Sequence, residues 1–177
     1  MFIKSMSRRS LIIGRNCFST LRKSEYAFEM SSSTLRFGRG VTQEIGFDVV
    51  HMGFRDSVCV VTDKKLINMR QFHAVAESLA KAGVKFDVFD DVAVEPTDKS
   101  LQVAINFCKS KQFKAFIAVG GGSVMDTAKA ANLYMCNPDA EFLDFVNAPI
   151  GKGKSIPSPL KPLIAVPTTA GTGILDG

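Results

Sequence analysis

The sequence predicts an α/β fold, a parallel sheet with helices on both faces, on three observations. From about residue 57 onward, short β-branched apolar runs alternate with segments whose apolar residues recur at helical spacing. Two of the apolar runs end directly in turns rich in glycine and hydroxyl residues. The composition, 46% hydrophobic and 22% charged, suits a folded domain, and no apolar run approaches the ~18–20 residues of a membrane span.

The elements follow in order. Ser57-Val58-Cys59-Val60-Val61-Thr62 reads as a strand buried on both faces. Phe72, Val75, Ala76 and Leu79 then make one apolar helix face, and Gly83 stops that helix where a left-handed residue is least costly. Val84 to Phe89 is a second strand. After Glu95-Pro96, Thr97 or Asp98 can cap a helix that buries Leu101, Ala104, Ile105 and Cys108. Ala115-Phe116-Ile117-Ala118-Val119 is a third strand, followed by a helix from Ser123 to about Met135. The prolines, glycines and lysines of 147–162 predict an exposed loop, and Leu163-Ile164-Ala165-Val166 is a fourth strand ended by Pro167. Right-handed crossovers set the strand-to-helix turns along one edge of such a sheet, where these folds bind ligands.

The net charge of +5 is not spread over the chain. Lys4, Arg8, Arg9, Arg15, Arg22 and Lys23 all precede the first acid, Glu25, and without them the body is slightly acidic. A nucleic-acid partner is therefore not expected. The Arg- and Ser-rich, acid-poor residues 1–24 predict a mitochondrial presequence and a matrix location, a disordered basic tail being the alternative. Residues 25–177 are left as the domain. Cys17, Cys59, Cys108 and Cys136 are scattered, with no metal-ligand spacing, and Cys59 and Cys108 read as small buried thiols. His51 and His73, the only histidines, have no partner at ligand spacing and read as structural or surface residues.

Chemistry concentrates in two turns. Val119-Gly120-Gly121-Gly122-Ser123-Val124-Met125-Asp126 takes a strand through three glycines into a helix. Glycines let the backbone approach a phosphate, and the first helical N–H groups point at it with the favourable end of the dipole. Met125 stands where the usual dinucleotide fingerprint has its third glycine, and the Gly-Lys-Ser/Thr ending of a P-loop is lacking. A tight turn with a Ser123/Asp126 capping box is the competing reading. Pro167-Thr168-Thr169-Ala170-Gly171-Thr172-Gly173 follows the last strand and can donate to phosphate, ribose or a carboxamide, or be a plain polar loop. Asp63, ending the first strand, can accept from ribose hydroxyls and repel a 2′-phosphate, or cap the segment that begins at Lys64.

With Asp126 and Lys129 after the first turn, and the Pro167–Gly173 turn in its place, the sequence resembles the iron-containing alcohol dehydrogenases. Tyr26-Ala27-Phe28-Glu29-Met30, Val94-Glu95-Pro96-Thr97-Asp98, Ala130-Ala131-Asn132-Leu133-Tyr134, Ala148-Pro149-Ile150-Gly151-Lys152-Gly153-Lys154 and Pro162-Leu163-Ile164-Ala165-Val166-Pro167 are similar to a mitochondrial member of that family. The likeness runs from about Tyr26 to Gly173. It implies a Rossmann-like N-terminal domain that holds NAD, as also in the dehydroquinate-synthase-like fold, and a C-terminal helical domain that holds iron. It implies that Asp63 faces the adenine ribose, that Gly121, Gly122 and Ser123 cradle the pyrophosphate, and that Asp126, Thr168, Thr169 and Thr172 line the nicotinamide side. The implied substrates are small hydroxyacids and oxoacids: 4-hydroxybutyrate is oxidised to succinate semialdehyde while 2-oxoglutarate is reduced to 2-hydroxyglutarate.

After Gly173 the sequence leaves the family pattern, which continues with Ser-Glu, and reads Ile174-Leu175-Asp176-Gly177. The domain is therefore expected to be truncated at its C-terminal end, with the family's metal ligands, an aspartate and three histidines, outside this chain. No residue here is assigned as a metal ligand or as catalytic, and the chain alone is expected to be inactive. The readings left are an oxidoreductase by family, a non-catalytic nucleotide-binding or interaction fragment that self-associates or pairs with a full-length counterpart, and a metal-dependent synthase of the related fold. The Ala170-Gly171-Thr172-Gly173 turn and the presequence favour the first over the third.

Overall fold

Four parallel strands lie in the order β2-β1-β3-β4: β1 is Val58–Val61, β2 Phe86–Phe89, β3 Ala115–Gly120 and β4 Leu163–Pro167. The computed structural model describes residues 33–170, so the predicted presequence lies outside the described residues. Met1–Arg36 and Phe37–Gly177 are separate units, and residues 33–36 of the first carry no regular secondary structure. The two inner strands, β1 and β3, are buried at every position, which is why they read as unbroken apolar runs. The edge strands are only partly covered.

Successive side chains leave a strand on opposite faces, so each inner strand feeds two cores. Cys59, Val61, Phe116 and Ala118 pack under α3 (Asp98–Lys111) and α4 (Gly122–Cys136). Val58, Val60, Ile117 and Val119 pack with α1 (Ile45–His51) and α2 (Arg70–Lys81). The chain moves from β1 outward to β2, returns across β1 to β3, and continues to β4. With right-handed crossovers, that reversal puts α2 on one face and α3 and α4 on the other. It also makes the gap between β1 and β3 the point where connections diverge, and the crevice outside the carboxyl ends of those strands the natural ligand site.

The helices refine the expectations. Phe72, Val75 and Leu79 of α2 are buried as predicted, with Ala76 half-buried, and Gly83 beyond it has φ +70°. Thr97 caps α3 in a reciprocal box with Ser100, and Ala104, Ile105 and Cys108 are buried while Leu101 is half-buried. The Ser123/Asp126 capping box does not form. Gly121 is the N-cap of α4 with no side-chain cap, the Ser123 hydroxyl donates instead to the Val94 carbonyl, and Asp126 lies 4.0 Å from Lys129. One element was not foreseen: α1, with a short 3-10 turn (Val41–Glu44) before it. It is fixed to α2 by Ser78, whose hydroxyl accepts from the Gly46 N–H at 3.0 Å and donates to the Gln43 carbonyl at 2.6 Å.

The segment from α4 to β4 is exposed over most of 147–162 but tied down at several places, two of them prominent. The Asn132 amide accepts from the Lys161 N–H at 3.0 Å and donates to its carbonyl at 2.8 Å. Asp144, buried, meets the ammonium groups of Lys152 and Lys154 at 2.9 and 3.0 Å and accepts from the Glu141 N–H. Both lysine contacts fall on Oδ1, which receives charge compensation without a well-directed hydrogen bond. The lysines hold its carboxyl well below the usual range, at about 2. Among the described residues no helix is long and apolar enough to cross a membrane.

Candidate functional site

The carboxyl ends of the strands bring together residues far apart in the chain. β1 runs into Thr62 and Asp63, β3 into Gly120-Gly121-Gly122, and β4 into Thr168 and Thr169. The β3–β4 ladder persists to the pair Gly120–Pro167, and the Thr168 N–H then donates to the Gly120 carbonyl at 3.0 Å. A Cβ placed on Gly121 would sit 3.3 Å from Thr169 Oγ1. The two turns that the sequence offers separately thus form one continuous wall.

Glycine is required on that wall for want of space. A Cβ on Gly120 would overlap the Val124 side chain, which the first turn of α4 turns back under the strand end. The Gly121 carbonyl accepts from both the Val124 and Met125 N–H groups at 3.1 Å. The N–H groups before them, of Gly122 and Ser123, begin the helix and have no acceptor within it, and the helix dipole adds positive potential there. That is the donor set an anionic pyrophosphate needs. Ser123 offers its N–H, since its hydroxyl is taken by Val94 in the β2–α3 loop.

Asp63 makes the local cap. Its Oδ1 accepts from the N–H groups of Lys65 and Leu66 at 2.8 and 2.9 Å, starting a 3-10 turn at Leu66–Asn68. Both bonds use one oxygen, so capping and acceptance from a ribose hydroxyl are compatible. A backbone bridge joins Asp63 to Asp91, and the exposed Lys64–Asp91 ion pair at 2.5 Å raises the Lys64 pKa. Asp126 lies in α4 with Lys129 as its described partner. Thr172 lies outside the described residues.

Three contributors were not singled out from the sequence. Val94 supplies the carbonyl that receives Ser123, and Asn132 anchors the approach to β4. Thr62, counted only as the last residue of a strand, is fully buried and donates its hydroxyl to the Val119 carbonyl at 3.0 Å. The remaining candidates play other parts. Cys59 and Cys108 are buried free thiols, and the Cys108 thiol, together with burial, pushes the Cys59 thiol up, so it stays protonated. His51 stacks on Phe47, and His73 stands exposed beside Phe72. Two shallow grooves of ≈ 270 and ≈ 370 Å³ lie along α2, the first beside Gln43 of the 3-10 turn and the second also against α1, and contain none of the predicted site residues. Among the described residues no three His, Cys, Asp or Glu side chains are grouped to hold a metal ion, so these residues do not fit an iron site.

Known proteins share this arrangement. A 59% identity over 155 residues relates the chain to the mitochondrial hydroxyacid-oxoacid transhydrogenase of Xenopus laevis, covering 88% of this chain and 33% of that protein. The human protein of the same name is 53% identical over 152 residues, covering 86% and 32%. The chain therefore spans about a third of the length of the curated relatives it matches. Among solved structures, sulfoacetaldehyde reductase from Bifidobacterium kashiwanohense, in complex with NAD+, superposes with a TM-score of 0.70 at 28% identity, over 85% of this chain and 38% of that one. NADH-dependent butanol dehydrogenase A from Thermotoga maritima gives 0.69 at 27% identity, over 84% and 36%. The model of the iron-containing alcohol dehydrogenase family matches residues 32–175, loops and both turns included. The chain belongs to the iron-containing alcohol dehydrogenase family.

Proposed function

We propose that this chain binds NAD in the crevice between β1 and β3 and forms the cofactor-holding part of a mitochondrial hydroxyacid-oxoacid transhydrogenase. The observation that carries the reading is the contact of the two turns, with Thr169 Oγ1 3.3 Å from the position a Gly121 side chain would occupy, closer than an ordinary contact. One wall then offers helix N–H groups for the pyrophosphate and threonine hydroxyls beside them. The names of the relatives support the activity and the compartment, and the basic, acid-poor residues 1–24 independently support import.

The roles follow from position. Gly121, Gly122 and Ser123 bind the pyrophosphate through the backbone. Asp63, at the end of the neighbouring strand, accepts from the adenine ribose, where a carboxylate disfavours the 2′-phosphate of NADP. Thr168, Thr169 and Thr172, with Asp126, orient the nicotinamide end. When bound, the cofactor supplies a reversible hydride acceptor, so oxidation of 4-hydroxybutyrate and reduction of 2-oxoglutarate balance without net consumption. Since the described residues offer no metal donor set, polarising the alcohol oxygen is not assigned to any of them.

Titration of the full chain with NAD by calorimetry tests the reading. Saturable binding by the natural chain is expected, and Gly121→Val, whose branched side chain must displace Thr169, should weaken it by roughly ten-fold or more, in keeping with the ~1–3 kcal/mol of overpacking. Equal affinity in the two proteins would remove the wall from the site. For the compartment, residues 1–30 fused to a fluorescent protein should reach mitochondria; a diffuse signal would refute import.

A second reading, association with another copy, is favoured by β4. Its residues are exposed or only half-buried, whereas parallel strands are ordinarily covered on both faces. Light scattering of the purified chain should show a mass above that of a monomer, and a monomer at all concentrations would dismiss it.

A further inference from the structure

We infer that Thr62 is a positioning residue for the dinucleotide crevice, its hydroxyl holding the phosphate turn at a fixed separation from the Asp63 side. This rests on the NAD reading of the crevice and adds to it the part that sets its width.

The strands separate at this point. The β1–β3 ladder ends at the pair Val61–Ala118, and the β1–β2 ladder at Val61–Phe89. Beyond it, β3 stays with β4 for two more pairs, to Gly120–Pro167. Thr62 is the next residue of the first strand, and its backbone sides with β2, its N–H donating to the Phe89 carbonyl at 2.9 Å. Its side chain reaches the other way, to the Val119 carbonyl at 3.0 Å. One residue therefore bridges the opening gap, by main chain on one side and by hydroxyl on the other.

What it grips decides its importance. Val119 immediately precedes the glycine turn, and Asp63 immediately follows Thr62. A displacement between Thr62 and Val119 is passed directly to the separation of the pyrophosphate donors from the ribose carboxylate. On the far side the turn is held by the ladder to β4 and by the Thr168 N–H on the Gly120 carbonyl, and the hydroxyl is the tie from β1. Thr62 is fully buried, and the bond is shielded from water that could replace it. A valine has the same shape without the donor, and a serine keeps the donor with one methyl fewer.

The test uses the full chain and three variants: Thr62→Val, Thr62→Ser and Ser78→Ala. The last removes a hydroxyl that also makes tertiary hydrogen bonds, on the α1–α2 face, and serves as a measure of plain destabilisation. For each, melting temperature without ligand and NAD affinity by calorimetry are measured. Thr62→Val is expected to weaken NAD binding roughly ten-fold or more, as for loss of one buried hydrogen bond. Thr62→Ser should recover most of it, and Ser78→Ala should lower the melting temperature with unchanged affinity. Natural affinity in Thr62→Val, or a loss in Ser78→Ala as large as in Thr62→Val, would overturn the positioning role. Absence of NAD binding by the natural chain would overturn both this inference and the reading beneath it.

Discussion

The crevice and the segment from Asn137 to Lys161 are both irregular, yet only one of them is held by charge. The crevice turns are fixed by backbone and hydroxyl hydrogen bonds: Thr168 on Gly120, Thr62 on Val119, Ser123 on Val94. The connecting segment has backbone hydrogen bonds too, Lys152 N–H on Leu143 and Gly153 N–H on Val146 among them, but adds a charge clamp: Lys152 and Lys154 on Asp144, and Lys152 again on Glu141. On the proposed reading the wall must keep its donors unneutralised for an anion, which a carboxylate clamp there would prevent. The connection, which carries none of the predicted site residues, has no such restriction. The crevice should therefore be little affected by acid, and the connection should lose stability in it.

The largest effect expected to sharpen that contrast is on stability alone. A Cβ at Gly151 would penetrate the carbonyls of Val146 and Leu143. Gly151→Ala should cost about 1–3 kcal/mol by overpacking, and leave NAD affinity within two-fold, roughly the ±0.4 kcal/mol of uncoupled sites. Chemical denaturation with a parallel NAD titration checks both. A large loss of affinity would show that the connection belongs to the crevice.

The acid response comes next. Asp144 has an ordinary value of 3.8 and a folded value of about 2, so its stabilisation is present above 3.8 and is lost as pH falls toward 2. Lys152 is pushed up to about 12, so its share is complete below its ordinary 10.5 and is lost as pH rises through 12. Melting temperatures of the natural protein and Asp144→Asn should differ at neutral pH and converge between about pH 4 and 2. A gap that persists at pH 2 would show that the clamp acts by packing rather than charge.

The smallest effect is on selectivity. Asp63→Gly should narrow the preference for NAD over NADP several-fold, while the loss of the local cap costs only a few tenths of a kcal/mol. Comparing the affinities for the two dinucleotides decides the matter, and an unchanged ratio takes Asp63 out of the ribose site.

What could be read in advance follows from how each part is held. β1 and β3 are buried on both faces, so their apolar runs announce them, and α3 carries its own cap at Thr97 and Ser100. By contrast, α1 is seven residues long, and its tie to α2 is a serine, a polar residue at a position where periodicity looks for an apolar one. The glycine turn is legible because its requirement is local: backbone room and a helix start. The partners that set its shape are not, because Val119 is 57 residues from Thr62 and Ser123 is 29 from Val94. The competing reading, a capping box, fails for the same reason. Ser123 and Asp126 have the right spacing, but a distant carbonyl competes for the hydroxyl.

Hydrogen–deuterium exchange of the full chain with and without NAD tests the central claim most directly, because it reports where the ligand acts. Protection is expected at residues 62–66, 119–126 and 166–169, with residues 141–154 and the grooves along α2 unchanged. Protection confined to α1 and α2, around Phe47 and Lys81, with the glycine turn unaffected, would contradict it.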